Sequence, residues 1–171
     1  MAVLTREAIV RDLDAGRIVI DPLDRSHIGP NSVDLHIGPE LYRYDARILD
    51  ARKQAGLVLM DKTLDGGWVL RPGTLYLGST AEWTETNDLV PYLDGRSSLG
   101  RLGVGSHVTA GRGDVGFRGR WTVELWCVQP VVIYPGGRYF QITYHTIEGE
   151  PSAYQGRYQG DTGPVASRIN Q

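Results

Sequence analysis

The sequence predicts a mainly β fold, a distorted barrel or jelly-roll-like sandwich, with one short helix at its N-terminus. Two observations carry this reading. Short runs of β-branched and aromatic residues recur along the chain, and the 22 glycines and 9 prolines fall between them as turn residues. At 171 residues, 41% of them hydrophobic, the chain fits one domain with its own core, residues 1–171.

The helix comes first. Thr5 is a suitable N-cap, Ile9 and Leu13 are spaced i,i+4, and Gly16 suits a left-handed stop. Arg17–Ile20 then reads as a short strand ending at Asp21-Pro22. In Asn31-Ser-Val-Asp-Leu-His-Ile-Gly38, Val33, Leu35 and Ile37 alternate with polar residues, so one face of a strand is buried. The polar stretch from Asp45 to Gly67 reads as a loop or hairpin, with Leu57–Met60 as a short strand. Further strands are expected at Trp68–Leu70, Thr74–Ser79, Val90–Leu93, Val104–Val108, Trp121–Val128 and Val131–Tyr134. Pro135-Gly136-Gly137 turns the chain into a last strand, Arg138–Thr146. The segment 148–171 is polar and glycine-rich and would be disordered alone. Its Tyr154, Arg157, Tyr158 and Arg168 could order over a ligand or a neighbour, and 148–171 is expected to close as a C-terminal tail over a site.

Composition removes several classes of function. A net charge of -2 gives no global basic field for nucleic acid. No apolar run reaches membrane-spanning length, and the charged N-terminal stretch does not read as a signal peptide. With the single cysteine, Cys127, no intramolecular disulfide forms; a cytoplasmic location is expected. Zinc nucleobase deaminases need H-x-E and P-C-x-x-C, and neither motif occurs. Neither an H-x-x-x-H pair nor a G-x-S-x-G elbow is present, so no metal-ligand set is assigned.

The densest polar constellation lies between Gly95 and Glu124. Arg96, Ser97, Ser98 and Arg101 sit on a glycine-flanked turn and offer guanidinium forks and hydroxyls suited to phosphate. On its own, this short pattern fits a solvated loop better than a site. If Trp121–Val128 is a strand, Thr122, Glu124 and Trp126 share one face, and Val123, Leu125 and Cys127 share the other. A carboxylate beside tryptophans suits general-base work when desolvated; a solvent-facing glutamate is the ordinary alternative. Asp114, just before Phe117, could take a sugar hydroxyl while the ring packs the sugar face, though aspartate beside glycine is also common turn chemistry. Arg112-Gly-Asp coincides with an adhesion tripeptide but is too short to weigh in a chain without secretory features.

Taken together, these strings resemble the dCTP deaminase/dUTPase family. The resemblance rests on Gly95-Arg-Ser-Ser-Leu-Gly-Arg-Leu-Gly-Val, Thr109-Ala-Gly, Asp114-x-Gly-Phe-x-Gly119 and Thr122-Val-Glu-Leu. Asn31-Ser-Val-Asp-Leu-His-Ile-Gly and Tyr158-Gln-Gly-Asp-Thr-Gly-Pro-Val-Ala-Ser-Arg extend it, in order, over nearly the whole chain. It implies a dUTPase-type distorted β-barrel, a homotrimer with active sites between subunits, and deamination of dCTP at cytosine C4. It also implies residue roles. Glu124 would activate the water and pass protons to departing ammonia. Ser97, Arg101 and the backbone of Ala110 would position that water. Arg96 and Ser98 would hold phosphate, Asp114 and Phe117 the deoxyribose, and Thr122 and Val123 the base beside Glu124. Arg112, Gln141, Tyr154, Arg157 and Asp161 complete the nucleotide contacts. Magnesium would ride on the triphosphate, not on a protein cage.

Three departures from the family pattern stand out. Gly113-Asp-Val-Gly replaces Ile-Asp-Pro-Gly, Asp161 stands where a phosphate-binding glutamine is usual, and Ala110-Gly111 resembles the bifunctional members that carry dCTP to dUMP. A carboxylate near a triphosphate is repulsive, so Asp161 is expected to alter phosphate count or tail closure. Two alternatives stay open on sequence: a dUTPase, and a nucleotide-sensing protein that kept the fold and lost turnover. Glu124 with Ser97 and Arg101 favours the deaminase, because a dUTPase has no use for a C4 water base.

Overall fold

Thr5 caps the first helix, as its spacing predicts. In the computed structural model, which describes residues 2–170, α1 runs Arg6–Asp14 and the Thr5 hydroxyl accepts from Ala8 N at 3.4 Å. Ile9 is fully buried, and Gly16 follows in the left-handed conformation at φ 69°. Asp12 is buried as well. Its carboxylate accepts from Arg17 Nη1 at 2.8 Å and Arg11 Nε at 2.9 Å, and Arg17 reaches on to Asp88 at 3.0 Å. A buried charge is tolerated there because cations meet it directly.

The strands follow as β1 (Ile18–Asp21), β2 (Val33–His36), β3 (Tyr42–Tyr44), β4 (Leu57–Leu59), β5 (Trp68–Leu70), β6 (Tyr76–Ser79), β7 (Trp83–Thr86) and β8 (Leu89–Gly95). A one-turn helix α2 (Ser97–Gly100) comes next, then β9 (Val104–Ser106), β10 (Arg118–Gly119), β11 (Thr122–Cys127), β12 (Val131–Ile133) and β13 (Arg138–Thr146). All pairings are antiparallel, in sheets ordered β1-β7-β10, β4-β3-β6-β11-β9, β12-β5 and β2-β13-β8. One hydrophobic cluster joins all four sheets, drawing Ile18 and Ile20 from the first, Val123 and Leu125 from the second, Trp68 and Ile133 from the third, and Leu35, Leu93 and Phe140 from the last. Within the polar 45–67 stretch, read as a loop or hairpin, Leu57–Leu59 forms the expected short strand, and it pairs with β3 just before the stretch, Tyr42↔Leu59 and Tyr44↔Leu57.

Several elements were not expected from the sequence, among them β3, β7, α2 and β10. β7 was not expected, because its inward residues are polar. Thr84 and Thr86 are buried while Trp83 and Glu85 are only half-buried. Thr84 is satisfied by Trp121 Nε1, which donates to its hydroxyl at 2.9 Å. The tail, which would be disordered alone, packs on the folded chain. Residues 147–170 form neither helix nor strand, yet main-chain hydrogen bonds fix them on their own chain: Tyr154 N to Val115 O at 2.7 Å, Gly160 N to Arg118 O at 2.8 Å and Arg120 N to Asp161 O at 2.8 Å. A polar composition does not preclude order when the backbone finds partners on a folded surface. Gly116 and Gly119 make room for this packing. A Cβ on either would lie about 3 Å from tail backbone, at Ala153 and Asp161 respectively.

β13 is the longest strand and lies between β2 and β8. Its inward residues Phe140, Ile142 and Tyr144 are fully buried. The Tyr144 hydroxyl finds no protein partner there, and burial pushes its phenol above the ordinary tyrosine range. The folded state therefore holds this proton more tightly than the unfolded chain. That costs nothing below the ordinary tyrosine pKa of about 10, and stability is lost as pH rises past it. Tyr144→Phe removes an unsatisfied buried hydroxyl, a gain of up to about 1 kcal/mol. Urea unfolding is expected to show the variant at least as stable as the parent at pH 7, with a smaller loss above pH 10 (about the free phenol pKa); a marked destabilisation at pH 7 would contradict this.

Candidate active site

The alternation of β11 sends Val123, Leu125 and Cys127 into the core and leaves Thr122, Glu124 and Trp126 on the opposite face. Glu124 reaches a cavity of about 540 Å3 bounded by β11, the 108–121 segment and the tail. Within hydrogen-bonding range its Oε2 meets His107 Nδ1 at 3.2 Å and accepts from Val108 N at 3.4 Å. Oε1 carries no hydrogen bond from the described residues. The Glu124 side chain keeps 28% exposure, whereas that of His107 keeps 5%.

His107 is the residue sequence reading missed. The histidines were weighed only as metal ligands, and nothing in Gly-Ser-His-Val marks a carboxylate partner. It is held firmly. Its φ of 63° makes it the one left-handed non-glycine among the described residues, and its carbonyl accepts from Trp126 Nε1 at 3.4 Å. The Trp126 ring lies so close over Gly105 that any side chain there would collide with it, at 2.4 Å from a Cβ. With Glu124 ionised, the Nδ1 proton of His107 points at Oε2, and Nε2 is buried without a protein partner.

Ala110, Arg112, Asp114, Phe117, Thr122, Tyr154 and Asp161 line the same cavity. Phe117 stands between two other rings, its centroid 5.3 Å from Trp121 and 6.2 Å from Tyr154. Gly113 allows this wall, because a Cβ there would strike the Trp121 ring at 2.3 Å. The tail roofs the cavity. Val165 N donates to the Thr122 hydroxyl at 3.2 Å, and Ser167 N to the Tyr44 hydroxyl at 3.1 Å. Tyr158, expected to order over a ligand, lines it too, as does Arg120, which was unassigned on sequence.

Asp161 does not present a bare carboxylate. Arg168 meets it with both terminal nitrogens, at 2.9 and 3.1 Å, and its guanidinium lies 5.4 Å from the Tyr158 ring centroid. The repulsion expected from the sequence is thus answered within the tail. Arg157, expected among the nucleotide contacts, lies outside the cavity lining and exchanges side-chain-to-carbonyl hydrogen bonds with Arg168.

Other expected site residues are not gathered here. Val123 is fully buried, so only its backbone is available to a ligand. Arg96, Ser97, Ser98, Arg101 and Gln141 lie outside the cavity lining. The serines and Arg101 are exposed on or beside α2, and Gln141 is half-buried on β13.

Comparison with known proteins gives a consistent picture. Residues 3–147 match the family model described as dCTP deaminase-like. A Cytophaga hutchinsonii protein named "dCTP deaminase, dUMP-forming" is 47% identical over 158 residues, covering 90% of this chain and 89% of the relative. A protein of the same name from Hathewaya histolytica is 48% identical over 155 residues, covering 89% and 88%. The crystal structure of 2'-deoxycytidine 5'-triphosphate deaminase from Agrobacterium tumefaciens superposes with a TM-score of 0.63 at 21% identity, covering 84% of this chain and 47% of that one. That likeness shows a shared fold with about half of the larger chain. With a family match across most of its length and close relatives aligned nearly end to end, the chain belongs to the dCTP deaminase-like family.

Proposed function

We propose that this protein deaminates dCTP hydrolytically at cytosine C4 and carries the product on to dUMP. The observation that carries the reading is Glu124 in the cavity. One carboxylate oxygen is fixed by His107 and Val108 N, and the other is left for a water. A carboxylate held this way removes a proton from water as it attacks C4, and the tetrahedral centre then collapses as the same group delivers a proton to the leaving amino nitrogen. Asp114 takes the deoxyribose hydroxyl, and the Phe117 ring packs the sugar. The names of the 47% and 48% identical relatives support dUMP as the end product, as does the small Ala110-Gly111 pair.

The separation of Arg96, Ser97, Ser98 and Arg101 from the cavity supports an active site shared between copies. In this reading a homotrimer brings these residues of one copy to the triphosphate lying in another. Leu102, Val108, Trp126 and Val128 are exposed apolar side chains around the β9–β11 edge that such an interface would bury. Magnesium would enter with the triphosphate and neutralise its charge. The carboxylates suit that arrangement better than a protein cage, since Asp161 is engaged by Arg168 and Glu124 by His107. No helix among the described residues is long and apolar enough to cross a membrane, and a cytoplasmic location fits a nucleotide substrate.

Product analysis with dCTP and magnesium tests the activity. Ammonia, dUMP and pyrophosphate are expected; ammonia with dUTP alone would remove the second step, and turnover of dUTP without any of dCTP would replace the reading with a dUTPase. Glu124→Gln keeps the shape and loses the base, so ammonia release should fall at least about a hundredfold while nucleotide binding survives. Full activity in that variant would remove Glu124 from the mechanism. Asp114→Ala should weaken deoxynucleotide binding by about tenfold, the loss of one good hydrogen bond to a charged acceptor; calorimetry showing unchanged affinity would break the sugar contact.

A further inference from the structure

The Asn31–Gly38 motif contributes nothing to the cavity, yet it builds a second polar cluster at one end of the β2-β13-β8 sheet. Asp34 on β2 lies opposite Gln141 on β13. Its Oδ2 is 3.2 Å from Arg96 Nε and 3.6 Å from Arg138 Nε. Arg96 follows directly on β8, where its N donates to Tyr139 O at 2.8 Å and its Nη1 to Arg138 O at 3.1 Å. A bulge makes the meeting possible. Arg138 pairs with His36, but Phe140 pairs with Leu35, so β13 carries one extra residue there. Without that residue, Arg138 and Gln141, three apart, would point to opposite faces.

Two guanidiniums thus share a single carboxylate oxygen. The Asp34 side chain is 18% exposed, and those of Arg96 and Arg138 are 28% and 40% exposed. Like charges this close repel, and one aspartate neutralises only half of the pair. Both arginines turn Nε to Asp34, and the terminal nitrogens of Arg138 make no hydrogen bond among the described residues. The nearest other carboxylate in register is Asp94, opposite Gln141 on the β8 side and exposed without an ion-pair partner among the described residues. The exposed hydroxyls of Ser97 and Ser98 follow Arg96 immediately.

We propose that Arg138 is a second phosphate-binding arginine, and that Asp34 is a positioning residue that sets Arg96 and Arg138 as a paired clamp for the nucleotide's triphosphate. The guanidinium edges left over are the groups that form paired hydrogen bonds with phosphate oxygens. The polyphosphate supplies the negative charge that Asp34 leaves unmet. Arg96 alone is then an incomplete description of the phosphate site. The proposal rests on the nucleotide reading given above, but the binding of a bare polyphosphate tests it separately.

Calorimetry of the full chain with inorganic tripolyphosphate, on the parent and on Arg138→Gln, Arg138→Lys and Asp34→Asn, is the experiment. Arg138→Gln is expected to weaken tripolyphosphate binding and raise the KM for dCTP by about tenfold each, with kcat falling far less. Arg138→Lys should recover only part of the loss, since a point charge lacks the fork. Asp34→Asn should weaken tripolyphosphate in the same direction while inhibition by deoxycytidine, which has no phosphate, stays unchanged in all variants. Parent-like tripolyphosphate affinity in Arg138→Gln overturns the proposal, as does an equal loss for deoxycytidine. An Arg138-dependent tripolyphosphate site in a protein that releases no ammonia from dCTP would refute the deaminase reading and leave the clamp standing.

Discussion

The two-residue period of β11 is the constraint on which both core and site depend. Val123, Leu125 and Cys127 must face inward to join the cluster that unites the sheets, and Glu124 must then face out. β11 is also the strand that ties β6 to β9, through Glu124↔Leu77 on one side and Leu125↔Ser106 on the other. A slip of one residue would bury the carboxylate and expose the core. The carboxylate's position is therefore secured by hydrophobic packing behind it, and only its fine orientation falls to His107 and Val108.

Glycines do the complementary work of close approach. Gly105 lies under the Trp126 ring, Gly113 under Trp121, and Gly116 and Gly119 under the tail. Each lets a ring or a backbone sit where a methyl group would collide. The two halves of the cavity, an aromatic wall around Phe117 and a roof of tail residues, are built on those contacts. Burial of the Cys127 thiol beneath the same strand raises its pKa, so it serves as packing and is a poor nucleophile.

Much of this was legible in the sequence, and the reasons for the gaps are physical. The alternation in Val33-Asp-Leu-His and in Thr122–Cys127 fixes which residues face in, and Thr5 with Gly16 brackets the helix. β7 escaped because its inward residues are threonines, which carry no hydrophobic signal. The Asp12–Arg17–Asp88 network, in which only Asp12 is buried, escaped because charged residues carry no hydrophobic signal either. Site residues close in sequence, such as Asp114, Phe117 and Glu124, were found together in space. His107 was not, because its role comes from strand pairing and an unusual backbone conformation. A tail lying over the site was expected, but its partners were not legible, since they are backbone groups that composition does not describe.

The roof over the cavity also has a kinetic meaning. The Thr122 hydroxyl is already taken by Val165 N, and Tyr44 by Ser167 N. A ligand that donates to the Thr122 hydroxyl competes with the tail for it. If entry requires the tail to lift, it includes a unimolecular step that no concentration of ligand accelerates, and the observed association rate then levels off at the opening rate. The Asp161–Arg168 pair braces the tail internally, and the contacts that seat the tail on the barrel are main-chain ones, Tyr154 N to Val115 O, Gly160 N to Arg118 O and Arg120 N to Asp161 O, so the strength of that seating depends little on salt.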